Sequence, residues 1–289
     1  MLSTGSEVQH MFGNKWFISV LYTVTVLFIL SVCWLFLSNT GHTNMQSILQ
    51  LVNRDWFWRS VNLSLVTSLI TTIIAILIGI PAAYALSRFE IPGKTVIDII
   101  FSSVIVLPAS TIGLCLMVAF QYEPILKIQQ VLGFRIVHSL PSIVIAQLVL
   151  ALAFGIKAWR AAFDNVNPRF EQVARTLGSS RTRTLWIVTL PQAKIGIISG
   201  IVLAWTRAIA EFGAVLIFSS TFRERHESQF SDITRFFGLD RADILPVGMW
   251  MEIEGGNIEQ GIAIAFVLVI ITILSVYTLN KISGKGFPS

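Results

Sequence analysis

Six long apolar segments constrain this sequence more than any other feature. They cover residues 16–37, 61–86, 96–120, 141–162, 195–219 and 258–282, with polar or charged stretches between them. An α-helix needs about 20 predominantly apolar residues to cross the hydrocarbon core of a bilayer. A segment in lipid must also satisfy its own backbone hydrogen bonds, which a helix does. The sequence therefore predicts an all-α polytopic membrane protein with six transmembrane helices.

The composition excludes several other classes of protein. Hydrophobic residues make up 54% of the chain and charged residues 13%, whereas soluble domains carry about 25% charged residues. The net charge of +5 does not indicate a nucleic-acid partner, because the basic residues lie beside the predicted spans, where membrane topology explains them. Cys33 and Cys115 lie inside apolar segments and the four histidines are scattered. We therefore predict no metal site, no cofactor and no catalytic residue.

Charge asymmetry predicts the domain organisation and the orientation. Residues 163–194 contain five basic and two acidic side chains, whereas residues 221–256 contain four basic and seven acidic ones. Cytoplasmic loops carry the basic excess, so the first of these loops and both termini are predicted to be cytoplasmic. The predicted order is an N-terminal tail (1–14), a first helix with an external loop (15–59), a core (60–282) and a C-terminal tail (283–289). Trp159 is expected at the inner membrane interface.

The loop at 163–194 contains a predicted amphipathic helix. Asn167 is a suitable N-cap, Pro168 suits the first helical position and Gly178 suits the left-handed position after the helix. One face carries apolar side chains and the other polar ones: Phe170, Val173, Ala174 and Leu177 against Arg169, Glu171, Gln172, Arg175 and Thr176. Ser179 or Ser180 is expected to cap a second short helix, and Pro191 to break or kink the chain as it re-enters the membrane.

These residues resemble a known signature. Gln172-Val173-Ala174, then Gly178 after three residues, then Leu190-Pro191, has the spacing of the EAA loop of type I ABC importer permeases. Gln172 replaces the glutamate of that signature. The resemblance implies the type I permease fold and a helix that docks in a cleft of a separate ATPase. The implied ATPase-coupling residues are Phe170, Glu171, Gln172, Val173, Ala174, Arg175, Leu177, Gly178, Leu190 and Pro191. The alternative is an amphipathic helix lying on the membrane surface.

The sequence lacks a recognisable nucleotide site of its own. Pro92-Gly93-Lys94-Thr95 resembles the end of a phosphate-binding loop, but Arg88 stands where that loop requires its first glycine. The chain is therefore predicted not to be an enzyme, with ATP hydrolysis on a partner chain. The resemblance implies two ATPase subunits, a second copy of this chain, an extracytoplasmic substrate-binding protein and a location in the cytoplasmic membrane of a prokaryotic cell.

Two motifs indicate a translocation path or gate. Leu107-Pro108 interrupts the third segment, and followed by Thr111-Ile112-Gly113 it resembles a gate segment of oxyanion permeases; a proline kink that serves packing is the alternative. The eight residues from Arg207 to Ala214 resemble the Arg-Ala-x-x-Glu-Phe-Gly-Ala stretch of molybdate, tungstate and sulfate permeases. The candidate path residues are Pro108, Ser110, Thr111, Arg207, Glu211, Phe212 and Gly213.

Arg207 and Glu211 have two interpretations. An isolated charge in a span is costly, so each of the two should pair or face water. They form either a structural ion pair or an electropositive element of an oxyanion path. The sequence predicts that Glu211→Gln harms uptake more than Arg207→Gln and Glu211→Gln combined, because the single substitution strands a buried cation.

The resemblance favours molybdate or tungstate as the cargo, with sulfate or thiosulfate next and thiamine or iron more remote. From other classes, an ion-gradient-driven transporter with Arg207 and Glu211 as a proton relay, or a non-transporting membrane scaffold, remains open.

Overall fold

A computed structural model describes residues 4–40, 45–133, 136–219 and 243–282, and these parts of the chain contain helices and no strands. The all-α prediction is confirmed. The helices are α1 (Thr4–Thr40), α2 (Met45–Val52), α3 (Asp55–Arg88), α4 (Lys94–Val106), α5 (Ala109–Phe120), α6 (Glu123–Leu132), α7 (Leu140–Asp164), α8 (Pro168–Thr176), α9 (Arg181–Thr184), α10 (Leu190–Ile209), α11 (Gly213–Phe218), α12 (Leu245–Glu254) and α13 (Ile258–Ile282). A π-helical turn, Leu185–Thr189, joins α9 to α10.

Most of the predicted spans correspond to long apolar helices. Within the described residues, four continuous helices are long and apolar enough to cross a membrane: Lys15–Leu35, Asp55–Arg88, Leu140–Asp164 and Arg181–Ile209. The sixth predicted segment coincides with α13, whose apolar part, Ile258–Leu274, is shorter. Helix α1 starts at Thr4, so that residues 4–14, predicted as a tail, are helical. The predicted C-terminal tail lies outside the described residues.

The third predicted segment is sharply bent, as its proline indicated. Helices α4 and α5 meet at an angle of 113°. Pro108 has no N–H to continue the hydrogen-bond ladder, and a residue before proline is driven towards extended backbone. Leu107 accordingly has φ −63° and ψ 142°, and α5 begins directly after Pro108.

The fifth predicted segment, residues 195–219, is not one helix, and this part of the prediction is wrong. Helix α10 ends at Ile209 and α11 begins at Gly213. The buried carboxylate of Glu211 accepts a hydrogen bond from the backbone N–H of Ala214 at 2.9 Å, and thereby satisfies a donor at the free end of α11. The side chain thus favours a new helix start over a continuous span.

Helix α7 lies at the centre of the bundle, packed against α3, α4, α10 and α11. Its Trp159, which the sequence places at the inner membrane interface, is completely buried among the helices. The indole N–H donates to the Ile197 carbonyl at 3.0 Å. Space for the ring exists because Gly79 and Gly200 have no side chains: a Cβ atom would lie 2.3 Å and 2.4 Å from it, respectively.

Candidate functional site

The loop at 163–194 has the helix boundaries that its sequence predicts. The Asn167 side chain accepts a hydrogen bond from the N–H of Arg169 at 3.0 Å, and Pro168 occupies the first turn. Gly178 has φ +86°. Its N–H donates to Arg175, and the N–H of Ser179 donates to Ala174, each at 3.0 Å. This is the Schellman arrangement that ends a helix, so both ends of α8 are fixed by local contacts.

The apolar side chains of α8 project away from the bundle. Phe170 is 54% exposed, Val173 58% and Leu177 83%, and Gln172 and Arg175 are also exposed. A short helix gains little stability by itself, and this one buries no residue of its own fully. Its apolar row is therefore free to contact another molecule.

The opposite side of α8 is attached to the bundle through Glu171. Arg88, in the last turn of α3, donates from Nε to Oε1 of Glu171 at 2.8 Å. Thr189 donates its hydroxyl to the same oxygen at 2.9 Å. The sequence singled out Glu171 but missed Arg88 and Thr189 as functional residues. No local signal in either segment indicates this contact, because Arg88 and Glu171 are 83 positions apart.

After α8 the chain returns to the membrane through α9 and the π turn. Ser180 caps α9 by accepting from the N–H of Arg183 at 3.3 Å, as one of the two predicted serines. The N–H of Leu190 donates to the Leu185 carbonyl, five residues back. Pro191 lies in the first turn of α10, directly after the π turn. The wider π turn leaves room for the proline ring, and no hydrogen bond from residue 191 is required there. Pro191 therefore alters the helix locally without breaking it.

The two predicted path motifs meet in space. The start of α5 packs on the start of α11 so closely that a Cβ atom on Gly113 would lie 2.7 Å from the Ala214 carbonyl oxygen. A Cβ atom on Gly213 would lie 3.0 Å from the Ser110 nitrogen. Pro108, Ser110 and Thr111 are exposed at this contact. The break in the third segment and the break in the fifth thus form a single structural feature.

Arg207 and Glu211 flank that contact as an ion pair. The distance from Arg207 Nη2 to Glu211 Oε2 is 3.4 Å, and the side chains are 32% and 1% exposed, respectively. The guanidinium also lies over the ring of Phe154, 5.4 Å from its centroid. Phe212 packs against Trp250 of α12 with ring centroids 5.8 Å apart. The pair therefore ties the end of α10 to α11, with the carboxylate as its deeper member.

This difference in depth predicts an order for the two single variants. Arg207→Gln leaves a carboxylate that is almost fully buried with only the Ala214 N–H, whereas Glu211→Gln leaves a cation that is one-third exposed. Removing one partner of a buried pair costs about 3–5 kcal/mol. We expect Arg207→Gln to lower the melting temperature of the purified chain in detergent more than Glu211→Gln does. A larger loss for Glu211→Gln would contradict this, and the double variant serves as the reference without a stranded charge.

Comparison with known proteins places the chain among transport proteins. The family described as "Binding-protein-dependent transport system inner membrane component" matches residues 75–285. A molybdate/tungstate transport system permease protein of Thermococcus kodakarensis is 34% identical over 61% of this chain, and the match spans slightly less than two thirds of that relative, 66%. A molybdate/tungstate transport system permease protein of Methanocaldococcus jannaschii is 30% identical over 80% of this chain and 89% of the relative.

The fold also resembles a solved structure. A chain of a bacterial ABC transporter involved in the import of the acidic polysaccharide alginate superimposes with a TM-score of 0.72 at 12% identity, covering 98% of this chain and 100% of that one. At this low identity the likeness concerns the arrangement of helices alone.

Proposed function

This chain belongs to the family of binding-protein-dependent transport system inner membrane components, and from that premise we propose that it is the permease subunit of an ATP-driven oxyanion importer. The observation that carries the proposal is the exposed apolar row of Phe170, Val173 and Leu177 on α8, a helix held at both ends and placed between two spans. An exposed apolar cluster of this kind is typical of a protein–protein contact.

The proposed occupant of that row is an ATP-hydrolysing subunit, one for each of two copies of this chain. Residues 163–194 have a basic excess, which supports a cytoplasmic position for α8 and for both termini. Leu190 and Pro191 follow the π turn and start α10. A membrane-surface helix is less well supported, because the side of α8 opposite the apolar row is bonded to α3 and the π turn.

Helix α10 is the proposed connection between the ATPase and the path. Thr189, which bonds Glu171, directly precedes α10, and Arg207 lies in its last turn. A helix of 20 residues is about 30 Å long, which is the thickness of the hydrocarbon core. In this mechanism a displacement of α8 moves α10 as one rigid helix, and α10 in turn moves the contact between α5 and α11.

The proposed cargo is molybdate or tungstate, delivered by an extracytoplasmic binding protein to a path between two copies of this chain. Support comes from the relatives' names and from the Arg207-to-Ala214 motif, which lies beside exposed Ser110 and Thr111. Arg207 is partly exposed and its charge is compensated by Glu211. A compensated cation attracts a dianion without holding it tightly, which suits passage. Sulfate or thiosulfate is the second candidate.

Reconstitution with its partners tests this proposal. The purified chain, two ATPase subunits and a binding protein are placed in sealed vesicles, and ATP hydrolysis is measured with molybdate, tungstate or sulfate on the binding protein. We expect molybdate or tungstate to stimulate hydrolysis and to accumulate inside. Uptake that an uncoupler abolishes at constant ATP would instead favour an ion-gradient-driven transporter. No accumulation of any oxyanion by an intact assembly would favour a scaffold.

A further inference from the structure

We propose that Glu171 is a positioning residue that locks α8 to the membrane helices through Arg88 and Thr189, and is not a contact for the ATPase. The inference deepens the proposed function and rests on it. It separates the two sides of α8: Phe170, Val173 and Leu177 bind the partner, whereas Glu171 transmits the movement of α8 into the bundle.

The geometry around Glu171 carries the proposal. One carboxylate oxygen accepts from Arg88 Nε at 2.8 Å and from the Thr189 hydroxyl at 2.9 Å. The side chains of Arg88 and Glu171 are 10% and 12% exposed, and Thr189 is fully buried. A carboxylate enclosed in this way has little surface left for a protein that docks from the cytoplasm.

The lock joins elements that are far apart in the sequence. Arg88 ends α3, and its Nη2 also donates to the carbonyl of Val166, just before α8, at 2.9 Å. Thr189 ends the π turn before α10. Glu171 therefore connects α8 to two membrane helices at once, and Arg88 fixes the entry to α8 as well.

The same contacts continue towards α7 and α4. Arg88 Nη1 donates to the Ser87 hydroxyl at 3.2 Å, and Ser87 donates to Asp164 at the end of α7. Arg160 pairs with Asp164 and with Asp98 of α4. Networks of charge-assisted hydrogen bonds are stiffer than isolated surface pairs. The members at the centre of this network, Arg88 and Glu171, are its least exposed ion pair.

Loss of the lock should uncouple movement of α8 from transport without detaching the ATPase. In the reconstituted vesicles, we expect Glu171→Gln to retain the wild-type amount of ATPase and to lower oxyanion imported per ATP hydrolysed roughly tenfold, the size of effect given by one hydrogen bond to a charged group. Arg88→Gln with Glu171→Gln should show the same low ratio, because α8 has lost its charged attachment there too; recovery in this double variant would instead assign the single defect to a stranded Arg88 charge. Glu90→Gln removes an exposed carboxylate two residues after Arg88, in the connection between α3 and α4, and as the matched control it should behave as wild type.

A second measurement requires no transport. Amide hydrogen exchange over residues 168–178 of the purified chain should be faster in Glu171→Gln than in wild type or Glu90→Gln, because α8 loses its attachment. Unchanged exchange in Glu171→Gln would overturn the lock, whether or not the chain imports an oxyanion. Faster exchange in a chain that imports no oxyanion would support the lock and contradict the proposed function. Loss of bound ATPase at an unchanged import ratio would also overturn the lock, since that result identifies Glu171 as a docking residue.

Discussion

Val173→Asp is expected to abolish ATP-driven import while the chain still folds and inserts. Val173 is 58% exposed and lies between Phe170 and Leu177 on the face that we assign to the ATPase. Docking would desolvate the new carboxylate without a partner, which is far costlier than burying an apolar group. Truncation of a central interface residue already costs about 2 kcal/mol or more, or roughly thirtyfold in affinity. The measurement is the amount of ATPase that copurifies with the chain, followed by uptake in vesicles.

Val131→Asp is the matched control for that variant. Val131 lies on α6, another short helix, and is 87% exposed. This control introduces the same charge at a valine that is even more exposed than Val173 and lies outside α8. The amount of bound ATPase should not change in this control. If Val173→Asp also binds wild-type amounts of ATPase and imports normally, the apolar row of α8 is not the docking surface.

The limits of α8 could be predicted from the sequence because the signals that set them are local. Asn167 and Pro168 act on the next two or three N–H groups, and Gly178 supplies a left-handed residue that other side chains adopt only with strain. The bend after Leu107 is equally local, since Pro108 lacks a donor wherever it is placed. These features depend on residues within one turn of one another, and all are confirmed.

Contacts between distant segments could not be predicted in the same way. Arg88 and Glu171 are 83 positions apart, and nothing in either segment selects the other. The helical periodicity of α8 separates an apolar face from a polar one, but it does not say which face meets the bundle. Here the apolar row is exposed and Glu171 faces the bundle, because Arg88 and Thr189 donate hydrogen bonds to its carboxylate there.

Burial depth within the membrane helices was the other quantity that the sequence left open. Trp159 lies between two basic residues, a pattern typical of an interface, and the sequence did not indicate that three neighbouring glycines form a space that encloses its ring. The sequence does not indicate which member of the pair Arg207 and Glu211 is more deeply buried. In the structure Glu211 is buried, whereas Arg207 stays partly accessible. In both cases packing between helices that are distant in sequence decides the outcome.

Gly79→Val is expected to destabilise the bundle strongly, because it fills the space that Trp159 occupies. A Cβ atom at position 79 would lie 2.3 Å from Cζ3 and 2.9 Å from Cε3 of Trp159, whose ring is fully buried and cannot move outwards. Overpacking of this kind costs about 1–3 kcal/mol, and more where the neighbour is rigid. The melting temperature of the purified chain in detergent should fall well below that of Ala161→Val, an exposed small residue of α7 that serves as the control.

Combining the substitution with a smaller partner separates steric conflict from other effects. Trp159→Leu alone should be destabilising, because it opens a cavity and removes the indole hydrogen bond to the Ile197 carbonyl. In the double variant the valine at position 79 occupies part of that cavity, so the loss should be smaller than the sum of the two single losses. Strictly additive losses would show that residues 79 and 159 do not share one space, and would remove the physical basis for the central position of Trp159 in the bundle.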